Sequence, residues 1–182
     1  MILAHTMDIP EVNTERLTLR GLREEDFEAY AAMAAHPDVA RELSSGEPLS
    51  REDAWRQLAA MVGHWALRGY GNWAVVETAS GTFLGRAGLW KPEGWPEIEA
   101  GWSLLPEHWG HGYATEAARA SLRWAHEELG IRFVMSFIKP DNVRSIAVAE
   151  RLGGLASGFI EIRGEYCLQY TLSCRQAEPG RG

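Results

Sequence analysis

The sequence predicts an α/β (α+β) domain: a mixed, mostly antiparallel sheet of six to seven strands with helices on both faces. Three observations predict it. Runs in which apolar and polar residues alternate fall at 15–22 and 97–104, the period that sends successive strand side chains to opposite faces, and strand-length segments at 72–78 and 82–90 lie between them. Runs with apolar residues three and four apart fall at 24–35, 50–68 and 113–129, the period of a helix with one buried stripe. Short glycine-bearing connections at Ala79-Ser80-Gly81 and at Gly164 join neighbouring strands as hairpins.

Taken in order, Glu15 to Leu22 reads as the first strand. Glu24 to Ala35 follows as a helix with Phe27, Tyr30, Ala31 and Ala34 on one face, and Pro37 opposes its continuation. His36 to Leu49 has little periodicity and contains Ser44, Ser45, Gly46 and Pro48, so it reads as a loop. Ser50-Arg51-Glu52-Asp53 has the outline of a capping box. It opens a helix to about Arg68 with Trp55, Leu58, Ala59, Val62 and Trp65 or Ala66 inward. A hairpin of Asn72–Thr78 and Thr82–Trp90 leads through the turn-rich Lys91 to Pro96 into a central strand. That strand places Ile98, Ala100, Trp102 and Leu104 on one face, and Glu97, Glu99, Gly101 and Ser103 on the other.

Pro106 ends the central strand. Gly110 and Gly112 then precede a helix striped by Ala114, Ala118, Leu122, Ala125 and Leu129, and Gly130 closes it. Phe133 to Ile138 is a further strand. Asp141 or Asn142 starts a short helix with Ile146, Ala149 and Leu152 inward, ended by Gly153 and Gly154. Leu155–Arg163 and Tyr166–Ser173 pair as the last hairpin. This organisation predicts one domain over 14–173, an N-terminal extension over 1–13 and a polar, frayed tail over 174–182.

An apolar fraction of 46% and a charged fraction of 24% are those of an ordinary globular domain. Lys and Arg number 18 against 25 Asp and Glu, a net charge of -7, with no basic run to suggest a nucleic-acid groove. An acidic surface favours amine-bearing partners only mildly, because salt screens it. Cys167 and Cys174 lack metal-ligand spacing, and seven residues apart on one strand they are too distant to bond, which suits reduced thiols in a cytoplasmic protein. Met1 to Pro10 lacks the basic start and apolar core of a signal peptide. No apolar run approaches the roughly 18 residues of a membrane span. The expectation is therefore a cytoplasmic protein with no membrane, nucleic-acid or metal partner.

Strand, glycine turn and helix together make an anion site. Glycine leaves no side chain between backbone and ligand, and first-turn amides carry the positive end of the helix dipole without an internal partner. A phosphate or pyrophosphate is the usual guest. The spacing here is neither a P-loop nor G-x-G-x-x-G, and by itself two glycines at this junction can equally be a tight turn.

Larger stretches carry more. The strand E-A-G-W-S-L, the run W-G-H-G-Y-A-T-E-A from Trp109, and K-P-D-N-V-R-S-I-A-V-A-E-R-L-G from Lys139 resemble the GNAT superfamily of acyl-CoA-dependent N-acyltransferases. The likeness runs from about Thr14 to Leu172 and is greatest to the branch that acetylates ribosomal-protein alanine or serine N-termini and related amines. It implies a GNAT-type sheet in which the central strand and the strand at 133–138 splay apart to hold acyl-CoA. It implies acetyl-CoA as co-substrate, contacted by Leu104, Trp109, Gly110, His111, Gly112, Tyr113, Ala114, Thr115, Asn142 and Ser145. Where the family pattern commonly opens with arginine or glutamine, Trp109 leaves the backbone to hold the phosphates, and His111 is either an added charge or an ordinary surface histidine.

Transfer to an amine also needs a proton acceptor. Glu99, on the central strand, is the candidate base, with Glu97 on its face as second choice and a solvated glutamate as the plain alternative. Many relatives place an acidic tyrosine where this chain has Ala149. The branch instead offers Asn142 for the pantetheine amides and Ser145 near the leaving sulfur, although the same pair makes an ordinary N-cap and first-turn serine. Gly154 stands where relatives usually carry phenylalanine. Trp90, Trp95 and the 36–49 loop could line the acceptor pocket, while Trp55, Trp65, Trp73 and Trp124 read as packing.

The resemblance implies direct attack in a ternary complex by a protein N-terminus or a small amine, by a monomer or homodimer. The competing reading is a catalytically silent acyl-CoA-binding sensor or regulatory domain.

Overall fold

The computed structural model describes residues 8–43 and 46–175. Among these residues, eight strands form one sheet: β1 (Val12–Asn13), β2 (Leu17–Arg20), β3 (Asn72–Glu77), β4 (Phe83–Trp90), β5 (Glu99–Leu104), β6 (Phe133–Ile138), β7 (Leu155–Ile162) and β8 (Glu165–Ser173). Their order is β1-β2-β3-β4-β5-β6-β8-β7, and every neighbouring pair is antiparallel except β5 with β6. The sheet is mixed and mostly antiparallel, as the alternating runs predict. One more strand is present than expected because Val12 and Asn13 pair with Leu19 and Thr18, and two residues are too few for a period to show.

Ala74 and Val76 of β3 and Phe83 of β4 face α1 (Phe27–Ala35) and α3 (Arg51–Arg68), in a core with Leu22, Tyr30, Met33, Ala54, Leu58 and Met61. The opposite face packs on α4 (Tyr113–Leu129) and α5 (Val143–Arg151), through Ala118, Leu122, Ala125, Val134, Ala149 and Leu172. Trp65, Trp73 and Trp124 meet edge to face beside α4, with ring centroids 4.8, 5.1 and 5.5 Å apart. The Trp73 indole donates to the Pro10 carbonyl at 2.7 Å, tying the N-terminal segment to the sheet.

Three expectations are corrected. The segment 36–49 is not all loop: Pro37–Glu42 is a helix, α2. Pro37 ends α1 and starts α2, because at the first helical position its missing amide hydrogen is no loss, and the His36 ring caps the turn by accepting from the Asp38 amide at 3.2 Å. Ser44 and Ser45, also read as loop, lie outside the described residues.

Leu58 and Trp65 of the expected α3 stripe are buried, but Ala54, Met61 and His64 complete it in place of Trp55 and Ala59, which are exposed, and Val62, which is half-buried. Small Ala54 allows close approach, whereas Trp55 is 45% exposed and meets Phe27 edge-on at 5.1 Å. Ser50 caps α3 as expected, with Oγ accepting from the Asp53 amide at 3.1 Å, while the Asp53 carboxylate accepts from the Ser50 hydroxyl at 2.6 Å rather than completing a capping box. At the other end of α4, Leu129 is on the surface. Finally, Gly154 has no room for the aromatic of the family pattern. A Cβ there would lie 2.7 Å from the Ala149 carbonyl oxygen and 2.8 Å from Leu172 Cδ2.

The feature that positions the site is the β5–β6 pair. These strands share one register pair, Glu99 with Met135, and the Met135 amide donates to the Ile98 carbonyl at 2.9 Å. Beyond that point they diverge, so a wedge opens between Gly101–Leu104 and Ser136–Ile138.

Candidate active site

A cavity of about 1120 Å³ fills this wedge and continues toward α2 and α3. At one side stands the glycine turn. Gly110 and Gly112 adopt φ of 80° and 82°, left-handed values that glycine takes without strain. No heavy atom lies within 4 Å of where a Cβ on Gly110 would be. Gly112 is the N-cap of the seventeen-residue α4, and no side chain caps it. The first-turn amides thus meet the cavity with only backbone around them, and Lys139, Arg144 and Arg151 line the same space. This donor set fits a pyrophosphate-bearing ligand.

The turn is braced from behind. The Glu116 carboxylate accepts from Thr14 Oγ1 at 2.7 Å, the Arg16 amide at 3.0 Å and Arg16 Nε at 2.7 Å. Arg16 Nη1 donates to the His111 carbonyl at 3.0 Å and its guanidinium covers the Tyr113 ring at 4.6 Å. Desolvation would raise the Glu116 pKa, but the bonds from Thr14 and Arg16 together outweigh it and hold it low. Tyr113 donates to Glu77 at 2.8 Å.

Nine of the ten predicted cofactor contacts line the cavity and His111 does not. The nine are Leu104, Trp109, Gly110, Gly112, Tyr113, Ala114, Thr115, Asn142 and Ser145. The Trp109 indole donates to the Leu104 carbonyl at 2.8 Å and carries the Arg144 guanidinium at 4.1 Å from its ring, so it buttresses the turn rather than donating outward. His111 is exposed, rests against Tyr113 and does not line the cavity. Asn142 is buried and caps α5, accepting from the Ser145 amide at 2.9 Å, which leaves its side-chain nitrogen as a donor. Ala149 is fully buried in the core and supplies no acid.

The two glutamates separate clearly. Glu97 is exposed and pairs with Lys91 at 3.7 Å, the solvated alternative. Glu99 sits at the apex of the wedge, where the Trp95 indole donates to Oε2 at 2.9 Å. It is half-buried, reached only across the cavity, with protein packed closely around its carboxyl group. Desolvation therefore lifts its pKa to about 7, against the lowering effects of Trp95, Arg86 and the Phe137 backbone. Such a group changes charge at neutral pH and can exchange a proton with an amine.

Trp90, Trp95 and the α2 region (Val39, Glu42, Leu43) line the acceptor side, as do Leu49 and Met61. Trp90 is held by stacking on buried His64 at 4.6 Å. His64 Nε2 accepts from the Lys91 amide, so its proton is on Nδ1, bonded to the Tyr70 carbonyl at 2.7 Å. Sequence reasoning missed Arg86, Lys139 and Arg144, all in the lining. Arg86 had a signal: it is the lone charge in the strand F-L-G-R-A-G-L-W.

Comparison with known proteins agrees with this geometry. The family model of the acetyltransferase (GNAT) domain matches residues 16–154. The Bacillus subtilis protein YkkB, itself uncharacterized, is 31% identical over 148 residues, 77% of this chain and 82% of that one. FsC-acetyl coenzyme A-N(2)-transacetylase of Aspergillus fumigatus is 30% identical over 160 residues, 79% of this chain but 64% of the longer relative. Among solved structures, an acetyltransferase from Agrobacterium tumefaciens is 35% identical with a TM-score of 0.81, covering 91% of this chain and 95% of that one.

Proposed function

The chain belongs to the GNAT acetyltransferase family and is an acyl-CoA-dependent N-acyltransferase; from that premise we propose that it moves an acetyl group from acetyl-CoA to a primary amine, with Glu99 as the base. The observation that carries this reading is Glu99 at the apex of the wedge with a pKa of about 7. The glycine turn supplies backbone donors for the pyrophosphate, and Asn142 supplies a side-chain donor for the pantetheine amides. Ser145, half-buried in the lining, stands by the leaving sulfur.

Glu99, directly or through a water, takes the proton of the incoming ammonium. The neutral nitrogen then attacks the thioester carbonyl, the C–S bond breaks as the adduct's nitrogen gives up its second proton to the leaving CoA thiolate, and Glu99 returns the first proton to solvent. A base with pKa about 7 receives a proton from an α-amine of pKa near 8 at a cost of about 1.4 kcal/mol, and from a lysine near 10.4 at about 4.6 kcal/mol. The acceptor is a protein N-terminus or a small amine, and among acceptors of one shape the less basic amine has the lower deprotonation cost. Holding both reactants in one cavity contributes much of the rate by orientation.

A panel of amines with detection of released thiol tests the proposal. Turnover should rise with pH through an apparent pKa of about 7, and Glu99→Gln should remove that limb while retaining acetyl-CoA binding. Binding of acetyl-CoA without turnover of any amine would favour the sensor reading, for which the absence of an acid at Ala149 is the supporting observation.

A further inference from the structure

Arg86 occupies the same face of β4 as Gly88 and Trp90, and these three lie opposite Ser103, Gly101 and Glu99 of β5. Five of those six positions, all but Gly88, line the acceptor side of the cavity. Its middle is bare: nothing lies within 4 Å of where a Cβ on Gly101 would be. The result is a trough with Glu99 at one end and Arg86 at the other.

The guanidinium is held at the β3 side of that trough and lines the cavity. Arg86 is paired across the sheet with Ala74, yet its Nη1 donates at 2.9 Å to Oδ1 of Asn72, the residue opposite Gly88. The side chain thus leans from its own position toward the Trp90–Glu99 end. Its fixed partners are neutral: Asn72, itself buried and anchored to the Leu89 carbonyl, and the Tyr30 hydroxyl, which also bonds Gln57 at 2.5 Å. Among the described residues no carboxylate lies within 4 Å of Arg86. A guanidinium oriented by neutral groups and facing a cavity is a receptor for a planar anion, which its fork binds through two parallel bonds.

We propose that Arg86 receives the carboxylate of the acceptor, and that the preferred acceptor is a free α-amino acid with an apolar side chain. An amino acid spanning the trough puts its amine at Glu99 and its carboxylate at Arg86. Its side chain then meets Leu43, Leu49, Met61, Trp90 and Trp95, which also line the cavity. A polypeptide N-terminus has an amide where this site has its cation, and a polyamine would bring a second positive charge to it. The inference rests on the transferase reading of the same cavity.

The test compares leucine, leucinamide and 3-methylbutylamine as acceptors, with kcat/KM expressed on the concentration of free amine. Leucine should exceed both others by about tenfold or more, the usual range for a charge-assisted bond. Arg86→Met should bring the ratio to about one, chiefly by raising KM for leucine, and Arg86→Lys should recover part of it. Equal or better turnover of leucinamide by the wild-type protein overturns the carboxylate seat while upholding the transferase.

If the wild type acetylates none of the three, calorimetry with N-acetylleucine on the CoA-saturated protein decides Arg86 by itself, while the wider amine panel decides the transferase reading. Binding that exceeds that of N-acetylleucinamide and is lost in Arg86→Met supports the seat. Equal binding of the two, or none, overturns it.

Discussion

Glu99 opens β5 and Glu97 lies two residues earlier in the connection before it, and only Glu99 is removed from water at the apex of the wedge. That difference has a consequence for stability. A carboxyl group whose folded pKa is raised binds a proton in the folded chain over a range where the unfolded chain has lost it. Folding stability therefore falls as pH rises from the ordinary value of 4.5 to about 7. Glu99→Gln keeps an oxygen for the Trp95 indole but removes the ionisation. Urea denaturation should find the variant more stable than wild type at pH 8, by on the order of 2–3 kcal/mol, with the advantage gone at pH 4. A constant difference across pH would mean that the carboxyl titrates normally. This residue is a case in which the catalytic reading and the stability reading pull in opposite directions.

At the scale of elements, α4 is tied to β2 by one carboxylate. Glu116 takes three donors from Thr14 and Arg16, and Arg16 in turn reaches the glycine turn through the His111 carbonyl. Because the Glu116 pKa is lowered, this clamp is intact at neutral pH and weakens as acid protonates it. Glu116→Gln should cost about 1–2 kcal/mol by thermal or chemical denaturation, with Arg16 partly exposed and screening part of the charge. Acetyl-CoA affinity should fall severalfold as the turn loosens. Arg56→Ala, which breaks only exposed pairs with Glu52 and Asp53, is the comparison and should leave both quantities nearly unaltered.

The same elements show what sequence can carry. The strand at Phe133–Ile138 and the helix ended by Gly130 were legible because period and terminators agree. Glu116 was legible only as lying off the apolar stripe; its partners are 100 and 102 residues away. The phase of α3 was misread because Trp55 outweighs Ala54 in hydrophobicity, while close packing against α1 favours the smaller side chain. Pro37 was read as a stop alone, although the physics that ends one helix can begin the next. Within the site, the glycine turn, Asn142 and Glu99 lie on local motifs and could be found. Arg86 stood out locally only as the lone charge of its strand, and its placement depends on cross-strand register and a hydrogen bond to Asn72.

For the whole molecule, the wedge makes the sheet dependent on what it holds. β5 and β6 share a single register pair, so the two halves of the sheet are joined mainly by side chains and by helices packed across the gap. A ligand touching β5, the α4 turn and α5 joins them further. At about a hundredfold excess over its dissociation constant, acetyl-CoA should add roughly 2.7 kcal/mol, a rise of about 5–10 °C in the melting temperature for a chain of this size. Gly112→Glu, which places a side chain and negative charge at a backbone with φ of 82°, should abolish the rise. A wild-type melt unmoved by millimolar acetyl-CoA would leave the glycine turn as a turn and remove the basis of the site.

The tryptophans divide this molecule optically. Trp65, Trp73 and Trp124 touch one another on the α4 side and behave as one coupled chromophore whose circular dichroism depends on their mutual orientation. Trp90, Trp95 and Trp109 border the cavity instead, where their emission responds to polarity and to a nearby adenine or thioester. The fold thus carries two built-in labels, one for the integrity of its interior and one for the occupancy of its cleft. Unfolding and binding can be followed in the same sample without attaching a dye.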